Sequence, residues 1–135
     1  MLVVLDTNVL VSGLLSPTGP PAWLLELVLA QELACVVDPR ILAEYRDVLH
    51  RAELKLPRNA VATLLEAIET SAVHVTPRPL PIALPDPDDE PFLACATFSD
   101  AVLVTGNARH FPAKARGDTR VWSPRELIDF LRNPS

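Results

Sequence analysis

Short apolar runs that alternate with helix-patterned stretches constrain this chain more than any other feature. Leu2–Leu5 is such a run, with β-branched residues at its centre, and Leu33–Val37, Val73–Val75, Ala101–Thr105 and a weaker Arg120–Trp122 follow it. Runs of this length suit buried strands. Between them, apolar residues recur at helical spacing: Ile41, Leu42, Tyr45, Val48 and Leu49 after the second run, and Val61, Leu64, Leu65 and Ile68 before the third. The segments between runs carry no hairpin signals, so the strand–helix–strand order predicts a parallel sheet covered on both faces, an α/β fold.

Punctuation places the helices. Val9–Leu15 begins a helix that Ser16-Pro17-Thr18-Gly19-Pro20-Pro21 is expected to end, and Ala22–Gln31, apolar nearly all round, forms the next. Asp38-Pro39 is a start signal, with Asp at the N-cap and Pro at the first helical position. Residues 77–91 hold six of the chain's 14 prolines, an extended connection. Pro91 must then lie in the first turn of its helix, which starts near Asp88–Glu90. Ser123-Pro124 opens a last helix with Leu127, Ile128 and Leu131 inward.

A chain of 135 residues suits one domain over residues 1–135, burying about 68% of its unfolded surface. Cys35 and Cys95 sit in apolar contexts without CxxC spacing and read as buried free thiols in a reducing compartment. The N-terminus has no cationic region before its apolar run, and every apolar stretch is interrupted well short of a span. A cytoplasmic location is expected. Net charge is −5, but residues 106–135 carry 6 basic and only 3 acidic side chains. Arg109, Lys114, Arg116, Arg120, Arg125 and Arg132 are candidates for a local positive area, with scattered solubilising charge as the plainer alternative.

In open parallel sheets, chemistry collects at the carboxyl ends of the strands. Asp6 ends the first strand and Asn107 follows the fourth, while Asp89 starts the helix before that strand. Glu44 lies about 100° from Tyr45 on its helix, a flank position. Each has a plainer reading: Asp6 as a helix cap, Glu44 as surface charge, the acids of residues 86–90 as partners of a helix dipole, Asn107 as a turn residue. Three carboxylates and an amide at one edge would repel one another without a cation. Hard oxygen donors of this kind suit Mg²⁺ or Mn²⁺, which activates water for attack on a phosphodiester.

Four stretches, VLDTNVLVSGLL, PRILAEYRDVL, DPDDEPFLACA and LVTGNARHFP, resemble in order and spacing the motifs of the PIN-domain family, in particular its VapC-type toxin ribonucleases. The resemblance covers about residues 2–130. It implies an α/β/α sandwich around a parallel sheet and a Mg²⁺- or Mn²⁺-dependent endoribonuclease, the toxin of a toxin–antitoxin pair restrained by a small antitoxin protein. By motif it assigns the acids to Asp6, Glu44 and Asp89 as catalytic and metal-binding residues, with Asp88 as the fallback for the third. Asn107 stands where many members carry aspartate, which leaves a second metal less firmly held. Thr7, Asn8, Thr105 and His110 are further candidates near the site, for which turn or packing roles carry more weight.

Two other functions compete. A non-catalytic RNA- or protein-binding module is consistent with Asn107 and with a sequence pI of about 5.1. Phosphoryl transfer through an aspartyl phosphate is disfavoured: Asn8 stands where such phosphatases place a second Asp, and Thr76-Pro77 where receiver domains place the acceptor. A homodimer through the apolar Ala22–Leu29 helix is expected, although core packing explains the same pattern.

Overall fold

The computed structural model describes residues 1–134. Five parallel strands form one sheet: β1 (Leu2–Leu5), β2 (Ala34–Val37), β3 (Val73–His74), β4 (Val102–Val104) and β5 (Val121–Trp122). Their order across the sheet is β3-β2-β1-β4-β5. Among the described residues, seven α-helices surround it: α1 (Thr7–Leu15), α2 (Pro20–Leu29), α3 (Pro39–Leu49), α4 (Arg58–Ser71), α5 (Glu90–Ser99), α6 (Ala113–Arg116) and α7 (Pro124–Arg132). The parallel sheet is the one expected from the strand–helix alternation, and the α/β/α sandwich is the one the family resemblance implies.

The sheet centre explains the apolar runs. Val3, Val4 and Leu5 of β1 and Val102, Leu103 and Val104 of β4 are fully buried, as strands covered on both faces must be. Burying one such side chain contributes about 1.5–3 kcal/mol. Helix α5 packs along β1, β2 and β4, and α2 packs against α1, α4 and α7. Tyr45 of α3 is wholly buried, and its hydroxyl donates to the Leu5 carbonyl at 2.5 Å. That bond fixes α3 over the end of β1.

Several boundaries shift by a residue or two from expectation, with α1 starting at Thr7 and β3 ending at His74, and the start of α2 differs in kind. Pro20 and Pro21 open α2 instead of belonging to the break before it. Proline suits the first turn of a helix, where its missing N–H would have no partner. Helix α5 starts at Glu90, within the expected range, directly after a 3-10 turn at Pro87–Asp89. The short α6 carries no long apolar pattern and was not expected. Cys35 and Cys95 are free and buried, and burial pushes both thiols up to about 12.

The sheet order has one reversal that matters for function. From β1, the chain moves to β2 and β3 on one side, then returns to β4 and β5 on the other. Beyond the carboxyl ends of β1 and β4 the loops therefore diverge, leaving a crevice between them.

Candidate active site

Asp6 closes β1 at this crevice. It occupies the N-cap position of α1, with Val9 N–H donating to its backbone carbonyl at 2.9 Å, yet its side chain makes no capping bond. Instead Thr105, just past β4, donates from Oγ1 to Asp6 Oδ2 at 2.8 Å. Asn8 Nδ2 reaches the same oxygen at 3.4 Å. Asp38, at the equivalent end of β2, behaves differently: its carboxylate accepts Ile41 N–H at 2.9 Å and pairs with Arg40 at 2.7 Å. One strand-end aspartate is a cap and the other is held for something else.

The remaining two acids come from two more elements. Glu44, half-buried on the flank of α3, accepts a hydrogen bond from Thr7 Oγ1 at the start of α1. Asp89, at the end of the 3-10 turn before α5, keeps its side chain 14% exposed, whereas Asp88 is exposed. Asp89 Oδ2 is buried and accepts no hydrogen bond, although His110 Nδ1 lies 3.2 Å from it. On the other side of the ring, Asn107 Nδ2 donates to His110 Nε2 at 2.9 Å. Asn107 N–H in turn donates to Thr105 Oγ1 at 3.0 Å.

These contacts link β1, α1, α3, the turn before α5 and the segment after β4 in one network. His110, for which the sequence favoured a packing or surface role, bridges Asp89 and Asn107. Its signal was its spacing from Asn107, three residues within a 3-10 turn at Ala108–His110. Thr7 and Thr105 each position a carboxylate. Asn8 also serves the turn, since its Oδ1 accepts Gly106 N–H at 3.0 Å.

The electrostatics agree with the geometry. Burial raises the Asp6 carboxyl, against the Thr105 hydrogen bond, the neighbouring amides and His110, which lower it. Burial also raises Glu44, with Asp6 and Asp88 adding to the rise while Thr7 and Arg51 oppose it. Asp89 is pushed up to about 6, by burial first and then by the charge of Asp6, with Asp86 and Glu44 contributing. Glu44 and Asp89 each feel the charge of Asp6, so like charges stand close together here.

The donors are hard carboxylate oxygens, and one of them is buried without a partner, which fits a divalent cation. Among the described residues, no three of His, Cys, Asp and Glu are gathered tightly enough to hold a metal ion. Glu44 is turned onto Thr7 and Asp89 lies beside His110.

Several of the arginines of residues 106–135 are engaged by neutral groups within the chain. Arg116 donates to the carbonyls of Phe111 and Ala108, Arg120 stacks on Trp122, and Arg132 lies 4.4 Å from the centre of the Trp23 ring. No helix among the described residues is long and apolar enough to cross a membrane.

Comparison with known proteins bears on this arrangement. An uncharacterized protein of Methanocaldococcus jannaschii is 30% identical over 108 residues, covering 78% of this chain and 70% of the relative. The crystal structure of FitAcB from Neisseria gonorrhoeae shares the fold, with a TM-score of 0.57 and 21% identity over 94% of this chain and 100% of that one. The PIN domain family as a whole matches residues 2–109, a span that includes Asp6, Glu44, Asp89 and Asn107, and the chain belongs to that family.

Proposed function

We infer that the protein is a single-domain, metal-dependent endoribonuclease of the VapC type, the toxin of a toxin–antitoxin pair, acting in the cytoplasm. The observation that carries this reading is that Glu44 and Asp89 both feel the charge of Asp6, beside the reversal of the sheet order. Membership of the PIN domain family supports a nuclease.

Asp6, Glu44 and Asp89 would hold Mg²⁺ or Mn²⁺, with Asn107 offering a neutral amide oxygen beside them. The ion, when bound, supplies charge neutralisation and polarises a phosphoryl oxygen for hydrolysis of an RNA phosphodiester. The chain's own residues prepare the site. Thr105 and Asn8 hold the Asp6 carboxylate, and Thr7 holds Glu44. His110 sits between Asp89 and Asn107 and sets their spacing. Because the acids repel one another when ionised, they bind a cation more readily than they tolerate its absence.

The partners under this reading are RNA, a small antitoxin protein that covers the acidic crevice, and a second copy of the chain. Leu15 and Leu29, exposed beside the apolar face of α2, supply the homodimer contact. Purified protein should cleave RNA in Mg²⁺ or Mn²⁺ and stop on chelation, and Asp6→Asn should remove both cleavage and toxicity on expression. RNA left intact in either ion, with equal toxicity from the Asn form, would sink the proposal. A non-catalytic RNA-binding module is favoured by one observation, the uncharged Asn107. It predicts RNA retention without cleavage and a melting temperature indifferent to divalent ions.

A further inference from the structure

Three hollows adjoin one another along one side of the molecule. The first, about 450 Å³, lies between α1, the start of α2 and the start of α7; Asn8 and Ser12 form one wall, Pro20, Pro21 and Pro124 are apolar, and Arg125 stands at its edge. The second, about 340 Å³, lies between α1 and the end of α3; it shares Asn8 and Ser12 with the first and includes Thr7 and Arg51. The third, about 660 Å³, shares Arg51 with the second and is bordered by Lys55 and Arg58. Asn8 and Ser12 stand four residues apart on α1, on one face of the helix. Their stripe borders both of the first two hollows, which therefore adjoin along α1.

We propose that these hollows form one track for single-stranded RNA, crossing α1 beside the carboxylate cluster. The inference rests on the nuclease reading and assigns its substrate path. Charge supports it. Lys55, Arg58 and Arg125 are exposed and, among the described residues, make no ion pair, while Arg51 shares its charge with Asp47 at 3.0 Å. In a chain of net charge −5, cations thus stand at both ends of a track whose middle passes Thr7 and Asn8, the neighbours of Asp6. Glu53, in the second hollow, is the one acid that faces the track among the residues bordering it. Phosphates on either side of the reacting one would be held by Lys55 and Arg58 at one end and by Arg125 at the other. The proline-walled first hollow suits an unstacked base, since apolar faces accept any base without reading its edge. A duplex keeps its bases stacked and has no base to place there.

The test uses the full chain and a short fluorescein-labelled poly(U) RNA. Anisotropy without divalent ions reads binding, and cleavage kinetics in Mn²⁺ read KM and kcat. Arg125→Glu and the double variant Lys55→Glu/Arg58→Glu should each weaken binding and raise KM by about 10-fold, and each phosphate left without its cation should lower the salt slope by about 0.7. Arg78→Glu, the same charge change as Arg125→Glu at a residue that borders none of the three hollows, should leave both readouts within about 2-fold of wild type. Equal losses in Arg78→Glu, or no change in either track variant, would overturn the track. RNA cleavage with a KM blind to both variants removes the track and keeps the nuclease. RNA held by these residues and never cleaved removes the nuclease and keeps the track.

Discussion

Thr105 Oγ1 donates a 2.8 Å hydrogen bond to Asp6 Oδ2 across 99 residues of chain, and both side chains are buried. The bond joins the ends of β1 and β4 at the point where the sheet order reverses. Thr105 Oγ1 also accepts Asn107 N–H at 3.0 Å, so one hydroxyl aligns two candidate site residues.

Thr105→Val keeps the shape and deletes that hydroxyl. It leaves a buried carboxylate oxygen and a backbone N–H short of a partner, a loss of about 1–3 kcal/mol. Urea denaturation should show it, and an unchanged midpoint would mean that the bond contributes nothing net.

The acid cluster makes stability depend on pH in an unusual direction. Asp89 titrates at about 6 in the folded chain against an ordinary value of 3.8. Between those values the folded state binds more protons than the unfolded one, so stability falls as pH rises through the window. Asp6 and Glu44, also raised, act in the same sense. Without divalent ions, the melting temperature should therefore be higher at pH 5 than at pH 7. Asp89→Asn should flatten that difference and melt higher than wild type at pH 7. A wild-type chain that melts higher at pH 7 than at pH 5 would refute the account.

Divalent ions should reverse the balance at pH 7. Mn²⁺ is expected to raise the melting temperature of the wild type, EDTA to undo the rise, and Asp6→Asn to abolish it. Asn107→Asp adds a charge at the same edge, so it should lower stability without metal and tighten Mn²⁺ binding by calorimetry. Equal affinity in both forms would place Asn107 outside the metal's reach.

Gly13 offers a test of packing away from the site. Alanine is about 1 kcal/mol better than glycine in a helix, yet a Cβ here would lie 2.5 Å from Leu25 Cδ1 and 2.9 Å from the Pro21 carbonyl oxygen. The carbonyl cannot swing aside as a side chain can. Gly13→Ala should thus cost about 1–3 kcal/mol through overpacking between α1 and α2. Thermal denaturation that shows the variant more stable would indicate that α2 shifts freely.

Local chemistry made much of this legible in advance. The apolar runs at β1 and β4 announced buried strands because they are short and rich in β-branched residues, as strands covered on both faces are. Pro91 placed the start of α5 because proline is tolerated only in a first turn, and the structure puts it second in that helix. Asp38 was readable as a cap from its proline neighbour. Pro20 and Pro21 misled because the same residue type ends one helix and opens the next. Nothing in the local pattern distinguishes those two uses.

The sequence alone determined the elements, the parallel α/β class and the residue types available at the strand ends, because these follow from backbone sterics and hydrophobic periodicity within a few residues. Only the tertiary structure decided what those residues do to one another. It turned Asp89 inward and left Asp88 outside, and it released Asp6 from capping while committing Asp38 to it. His110 came between Asp89 and Asn107, and the C-terminal arginines were drawn onto carbonyls and tryptophans. Each outcome depends on which groups far apart in the chain lose water together, and that is set by the order of strands in the sheet.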